Sequence, residues 1–232
     1  VGAVMGFCNM LFKILSEKKT NKVIVIFDSA RKTFRNTIFN DYKSNRGAPP
    51  EDLIPQFALI KQAVDAFDIS RIELEGYEAD DLIARWIDTH PEQDHVIIST
   101  DKDLNQLIKT NVKQYNGVTE TTLTHKGWFD KKGEPVIDKK LKAPKPAPDT
   151  EWLVFEKAMR GDPSDNIFSA YPGVRTKGTK NKIGLQEAFA DRKEKGYTWN
   201  NLMLSKWVDH DGNEHRVMED YERNRALVDL HA

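Results

Sequence analysis

The sequence predicts an α/β protein with a mostly parallel central sheet flanked by helices, followed by a helical carboxyl-terminal region. Two observations carry this. In the first half a buried strand, an acid at its carboxyl end and a helix follow one another three times, the rhythm of a doubly wound domain. From Thr150 onward the apolar residues take helical spacing instead.

Element by element, VGAVMGFCNMLFKIL opens the chain as an amphipathic core helix, with Val4, Cys8, Leu11 and Leu15 on one stripe and Phe12 beside it. It lacks a basic leader and a small-residue cleavage site, so it does not read as a signal peptide. Lys22 to Phe27 is a β-branched apolar run, the pattern of a strand buried on both faces, and Asp28 ends it. Ligands bind at that edge of open α/β sheets. A basic, aromatic segment follows, then a break at Ala48-Pro49-Pro50 and a helix over Glu51 to Phe67. Arg71 to Leu74 is the next strand, with a helix from Glu78 to Thr89. His95 to Ser99 ends in Asp101, with a short helix starting near Lys102 and Asp103. Val112 to Tyr115 and Thr121 to Thr124 read as a marginal strand pair, and Lys131 to Asp149, rich in Lys and Pro, as a linker. Trp152, Phe155 and Met159 space a helix that Gly161 ends; residues 183 to 194 and 218 to 228 are further helices. Between these last two, WVDHDGNEHRV turns at Asp211-Gly212 as a hairpin. The expected division is an α/β domain over 1–149, with a helical arch around 31–67, and a helical region over 150–232.

At 232 residues, 39% hydrophobic and 31% charged, the chain is neither disordered nor long enough in any apolar run to span a membrane. One cysteine, Cys8, suits a reducing compartment, here the cytoplasm. The net charge of −1 conceals segregation. Residues 31 to 46 carry Arg31, Lys32, Arg35, Lys43 and Arg46 against Asp41; residues 175 to 182 carry Arg175, Lys177, Lys180 and Lys182 against no acid. Acids gather elsewhere: Asp28; Glu78, Asp80 and Asp81; Asp101 and Asp103; Asp162 and Asp165.

So many carboxylates at one sheet edge repel each other unless cations neutralise them, which makes them a candidate two-metal site. Oxygen-only ligands indicate Mg²⁺ or Mn²⁺. Each cluster alone has an ordinary explanation. Glu78-Ala79-Asp80-Asp81 suits any helix amino terminus, Asp101-Lys102-Asp103 an Asx cap, and Gly161 to Asn166 a polar turn. Together, beside basic strips, they fit an enzyme that holds metal with one set of charges and phosphates with the other. His210 and His215 flank the hairpin turn without Cys nearby and read as surface residues; Phe39 and Tyr42 are candidates to stack on an unpaired base.

The runs FDSARKTFRNTIFNDYKSNRG, GYEADDLIARW, ISTDKDLNQL and MRGDPSDN resemble the 5′ nuclease, or flap endonuclease, superfamily, with its PIN-like fold. It includes the 5′ nuclease domain of bacterial family A DNA polymerases and the phage enzymes called 5′ exonuclease or ribonuclease H. The resemblance runs from Val1 to about Lys182, and EDYERNRALVDL extends it toward phage ribonuclease H. It implies a structure-selective 5′-3′ exonuclease or flap endonuclease acting on DNA flaps or RNA primers in replication and leaving 5′-phosphates. It also implies that Asp28, Glu78, Asp80 and Asp101 surround one ion, that Asp103, Asp162 and Asp165 hold a second, and that Asp81 supports them. Lys43 and Arg46 match residues that reach the scissile phosphate, with Arg35 and Tyr42 beside them and Arg31 and Lys32 along the same strip. After Asn166 the resemblance implies a helix-three-turn-helix that grips duplex DNA, with Gly173 close to phosphate and K⁺ as a further ion; RTKGTKNK is longer and richer in lysine than the usual hairpin there. The family's first strand, with its own metal-binding Asp, would precede Val1, and the chain opens on Val, so a fragment or an incomplete site is expected. The implied protein is a monomer, away from membranes, in a bacterial or phage-infected cell, with replication proteins as partners. The competing readings are a catalytically silent nucleic-acid-binding module and a metal-dependent ribonuclease for single strands.

Overall fold

The computed structural model describes residues 2–17, 20, 22–29 and 32–232. In chain order the elements are α1 (Gly2–Glu17), β1 (Ile24–Ile26), α2 (Arg35–Ile38), α3 (Ile54–Ala66), β2 (Ser70–Ile72), α4 (Ala79–Thr89) and β3 (His95–Ile98). A 3₁₀ turn at Lys102–Leu107 leads to β4 (Val112–Asn116), β5 (Thr121–Thr124), β6 (Gly127–Phe129), β7 (Ile137–Asp138) and β8 (Ala143–Pro144). Then come α5 (Thr150–Arg160), a 3₁₀ turn at Pro163–Asp165, α6 (Leu185–Ala190), α7 (Tyr197–Met203), β9 (Lys206–Val208), β10 (Glu214–Arg216) and α8 (Val217–Val228). This is the mixed α/β fold the sequence predicts. Its chain divides into two compact units at places other than residue 149: one comprises 1–34 and 46–91, the other 35–45 and 92–232.

In the first unit β1 and β2 pair in parallel, Ile24 opposite Ser70 and Ile26 opposite Ile72. Helix α3 follows the Pro49-Pro50 break with Pro55 in its first turn, where a missing N–H costs nothing. Its Gln56 side-chain Oε1 accepts the Ala3 N–H at 3.0 Å, satisfying an amide at the start of α1 that no helical bond can reach. Of the expected α1 stripe only Leu11 is fully buried, and Phe12 is 64% exposed. Helix α4 starts with a reciprocal capping box between Glu78 and Asp81.

In the second unit β3, β4, β5 and β6 form one sheet, β3 and β4 in parallel and the rest antiparallel. The expectation of mainly parallel pairing therefore holds for β1–β2 and β3–β4, and β1, β2 and β3 are the strands that lead to acids. The β4–β6 meander and the short β7–β8 pair instead return by tight turns, which only antiparallel neighbours allow. The core of this unit lies among α5, α6, α7 and α8, with Phe155, Met159, Leu185, Leu202, Val217 and Tyr221 buried.

The helix expected over 183–194 stops at Ala190 because Asp191 turns to the next element. Its Oδ2 accepts the N–H groups of Thr198 and Trp199 at 3.0 and 3.2 Å, capping α7. Those backbone bonds hold its carboxyl below the usual range. Helix α7 has weak intrinsic propensity (YTWNNLM) and forms because Trp199, Leu202 and Met203 bury against the core.

Candidate metal centre and nucleic-acid interface

Asp28 stands just past β1, and its Oδ1 accepts the Ala79 N–H at the start of α4, at 2.7 Å. The strand end is thereby tied to a helix amino terminus, where the aligned amides favour negative charge. Glu78 and Asp81 cap that helix, the Asp81 Oδ2 accepting the Glu78 N–H at 3.0 Å, and Asp80 lies in its first turn. The first unit thus places Asp28, Glu78, Asp80 and Asp81 at the start of α4, but among the described residues only Asp103, Asp162 and Asp165 form a group of three acids whose oxygens come within 4.8 Å of one another. Capping and metal binding are compatible here, since each carboxylate has more lone pairs than the cap uses.

In the second unit Asp101 caps the 3₁₀ turn after β3, its side chain accepting the Asp103 N–H at 2.9 Å. Gln114 on β4 fixes this strand end by donating to the carbonyls of Ser99 and Asp101 at 3.0 and 2.7 Å. At the end of α5, Gly161 takes φ +74°, and a Cβ there would collide with the Ile167 carbonyl, so only glycine lets the chain fold back. The turn that follows aims Asp162 and Asp165 at Asp103: one carboxylate oxygen from each lies within 4.8 Å of the others. Asp165 is buried, and Asp162 is held by the Ser164 N–H and Oγ at 2.9 and 2.6 Å.

An ammonium stands among these oxygens. Lys157 Nζ, on α5, lies 2.6 Å from both oxygens of Asp103 and 2.8 Å from Asp162 Oδ2. Burial opposes its charge, but the hydrogen bonds to Asp103 and Asp162 outweigh burial and hold its pKa above the ordinary lysine value. Burial likewise opposes ionisation of Asp162, yet Lys157 and Ser164 keep that carboxyl below the usual range. A cation already pairs with two of the three carboxylates, and the donors are all carboxylate oxygens, the set that fits a hard divalent ion. Lys157 escaped the sequence reading. Its one signal there is a lysine between Phe155 and Met159, on a helix turned into a core.

The basic strips divide on inspection. Lys43 has a left-handed backbone, φ +56°, and its N–H donates to the Asp165 carbonyl at 2.9 Å, so the 35–45 loop is tied directly to the acidic turn. Asn166 reinforces the tie, donating to the Asp41 carbonyl at 2.8 Å. Lys32 and Arg46 are exposed, and Arg31 lies outside the described residues. Arg35 corrects the expectation placed on it. It is 1% exposed, its Nε donates to the Leu227 carbonyl at the end of α8 at 2.7 Å, and it has no face left for a phosphate. Tyr42 is a second correction: at 5% exposure it belongs to the core, with Arg35 and Lys43 near its ring, and cannot stack on a base.

Arg175, Lys177, Lys180 and Lys182 are all exposed, and Gly173 takes φ +74° with open space where a Cβ would stand. Their loop is held from below: the Glu187 carboxylate accepts the N–H groups of Gly178 and Gly184, both at 2.9 Å. His215 is not the surface residue expected. It stacks on Trp207 and bridges Asp220 through Nδ1 at 3.0 Å and Asp209 through Nε2 at 3.1 Å. His210 does stay exposed.

Fold and donor set define a mixed α/β protein with a carboxylate cluster of a kind that could hold a metal ion, and with exposed basic loops. Residues 1–133 match the family described as 5′-3′ exonuclease, N-terminal resolvase-like domain. The chain is 39% identical over 200 residues to DNA polymerase I of Rhizobium leguminosarum, covering 82% of this chain and 18% of that protein. It is 33% identical over 232 residues to a 5′-3′ exonuclease of Bacillus subtilis (strain 168), covering 98% of this chain and 71% of that protein. The chain thus spans only about a fifth of the polymerases it matches. Among solved structures, bacteriophage T5 5′-exonuclease with bound zinc superposes with a TM-score of 0.64 at 19% identity, over 98% of this chain and 81% of that one. A T5 flap endonuclease in a pseudo-enzyme-product complex with DNA and metal ions gives 0.62 at 19% identity, over 98% and 80%. The chain belongs to the 5′-3′ exonuclease family. No described helix is long and apolar enough to cross a membrane.

Proposed function

We propose that this chain is a structure-selective, metal-dependent 5′-3′ exonuclease and flap endonuclease that hydrolyses phosphodiester bonds of DNA flaps or RNA primers during replication. The observation that carries the reading is the convergence of Asp103, Asp162 and Asp165 within 4.8 Å, in a chain of this family. Asp103, Asp162 and Asp165 would hold one Mg²⁺ or Mn²⁺. Asp28, Glu78 and Asp80 would hold another, with Asp81 keeping Glu78 in place. Bound there, such ions lower the pKa of water and stabilise attacking and leaving oxygens in an in-line displacement. Lys43 and Arg46 neutralise the scissile phosphate, and the tie from Lys43 to the Asp165 carbonyl keeps that loop in register with the acids. Residues 150–232 hold the duplex through Arg175, Lys177, Lys180 and Lys182, contacts that orient without reading bases. Gly173 leaves its backbone open to phosphate, and a K⁺ ion is assigned to the same loop. Lys32 and Arg31 extend the strip along the incoming strand. The chain works as a monomer in the cytoplasm of a bacterial or phage-infected cell, alongside replication proteins.

The test is cleavage of a 5′-labelled flap duplex in Mg²⁺, with Ca²⁺ as a binding-only control. Cutting near the junction in Mg²⁺ alone supports the reading. Junction binding without cutting in either ion means an incomplete site or a silent module, which adding the family's first strand and its Asp tells apart, and preference for single-stranded RNA overturns the flap assignment.

A further inference from the structure

The acidic centre of the second unit carries its own cation. Three carboxylates whose oxygens lie within 4.8 Å of one another repel strongly, and Lys157 answers them with 2.6 Å contacts to both Asp103 oxygens and 2.8 Å to Asp162. The two sides of this contact differ in freedom. Asp103 and Asp162 sit on short stems at 3₁₀ turns, Asp162 held further by Ser164, and Asp165 is buried. Lys157 reaches them through four methylenes from a helix that Phe155, Ala158 and Met159 anchor in the core. Its ammonium can withdraw without moving the backbone; the carboxylates cannot disperse so easily. Asp103 has both oxygens on the ammonium, so a divalent ion taking the same oxygens would stand within a few ångströms of a like charge.

We propose that Lys157 is a built-in counter-cation that holds the metal-free centre together and must leave the Asp103 and Asp162 oxygens when a divalent ion binds. It thereby sets the affinity of this site. The inference rests on the reading of Asp103, Asp162 and Asp165 as metal ligands. Two consequences follow. The centre keeps its shape without metal, because the ammonium replaces part of the missing charge. Divalent ions bind more weakly than the carboxylates alone would allow, so the site empties readily and favours ions with enough charge to displace an ammonium.

The experiment is Mn²⁺ binding to the full chain, followed by the electron paramagnetic resonance signal of free Mn²⁺, together with thermal melts with and without Mn²⁺. Lys157→Met removes the charge at similar volume. It is expected to tighten one Mn²⁺ site by about tenfold or more, to melt lower than the wild type without metal, and to gain more from Mn²⁺. Lys157→Arg, which restores the charge, is expected to bind Mn²⁺ within about twofold of the wild type. Should Lys157→Met fail to fold without metal, Lys157→Gln, neutral but still able to hydrogen-bond, is expected to show the same tightening. Unchanged or weaker Mn²⁺ binding in both neutral variants overturns the counter-cation while leaving the metal-site reading intact. No Mn²⁺ binding by the wild type overturns both.

Discussion

Arg35 and Lys43 are both cations on the 35–45 segment, and the structure gives them opposite environments. Arg35 is 1% exposed and donates to the Leu227 carbonyl, so its charge holds α2 against the end of α8. Lys43 is half-buried, its backbone N–H committed to the Asp165 carbonyl and its Nζ 5.1 Å from the centroid of the Tyr42 ring. Substitution should separate them. Arg35→Ala leaves a buried carbonyl short of its donor and a void beside Tyr42, and is expected to cost about 2–4 kcal/mol in chemical denaturation. Lys43→Met is expected to change stability by less than about 1 kcal/mol, yet to lower cleavage of a flap duplex about a hundredfold by removing a donor to developing charge. A stable Arg35→Ala protein with lost cleavage would return Arg35 to the catalytic strip. The sequence could not distinguish these two residues, because the spacing of the basic segment says nothing of which side chain α8 covers. Charge at the acidic clusters was legible, since a carboxylate after a strand or at a helix start has few places to go; its internal cation, Lys157, was not, because only the turn after Gly161 brings Asp162 back to it.

At the scale of elements, the β9–β10 hairpin is joined to α8 through His215. One imidazole bridges Asp209 in the hairpin turn and Asp220 in the first turn of the helix, Arg223 pairs with Asp220 from the next turn, and Trp207 stacks on the ring. Only the imidazolium can donate from both nitrogens. The bond to Asp209 is the largest influence, with burial opposing it and Asp220 assisting, and His215 titrates above its ordinary value. Asn213 first, then His215, hold Asp209 below the usual carboxylate range. A raised histidine pKa contributes stability in full below the ordinary value and loses it as pH rises through the folded value; the depressed Asp209 contributes above the usual carboxylate range and loses it in acid. Melting temperature is therefore expected to fall from about pH 6 to about pH 9 more steeply in the wild type than in His215→Gln; equal slopes would remove the bridge from the account. The basic loop has a comparable fastening. A Cβ on Gly184 would collide with the Gly178 N–H and the Lys177 carbonyl carbon, so Gly184→Ala is expected to displace the loop and weaken duplex binding in Ca²⁺ with Mn²⁺ affinity unchanged. Elements with strong internal periodicity, such as α4 and α5, could be read from the sequence nearly to their ends. Helix α7 and the β6–β8 strands could not, because each takes its form from partners outside its own few residues: Asp191 and the core for α7, and for β6 the cross-strand pairing of Trp128 with Leu123.

For the whole chain, 35 basic and 36 acidic residues nearly cancel, so attraction to a polyanion cannot come from net charge. It has to come from segregation, with carboxylates committed to the proposed metal sites and to caps, and with Arg175, Lys177, Lys180 and Lys182 exposed on a loop that Glu187 holds by its backbone. This arrangement makes a quantitative demand on binding. Each phosphate neutralised by a fixed cation releases counterions, giving a slope of about −0.9 per contact when the logarithm of affinity is plotted against that of salt. With the four loop cations engaged, binding of a forked duplex in Ca²⁺ is expected to fall with a slope of about −3 to −4 between roughly 50 and 200 mM KCl. Lys180 and Lys182 are exposed, so replacing both by Ala is expected to leave folding intact and to reduce the slope by about two. The same double variant should bind Mn²⁺ as the wild type does, since neither lysine belongs to the Asp103, Asp162 and Asp165 centre. An unchanged salt slope in that variant would mean that the duplex lies elsewhere, and the strip around Lys32, Lys43 and Arg46 would then have to supply the whole of the electrostatic grip.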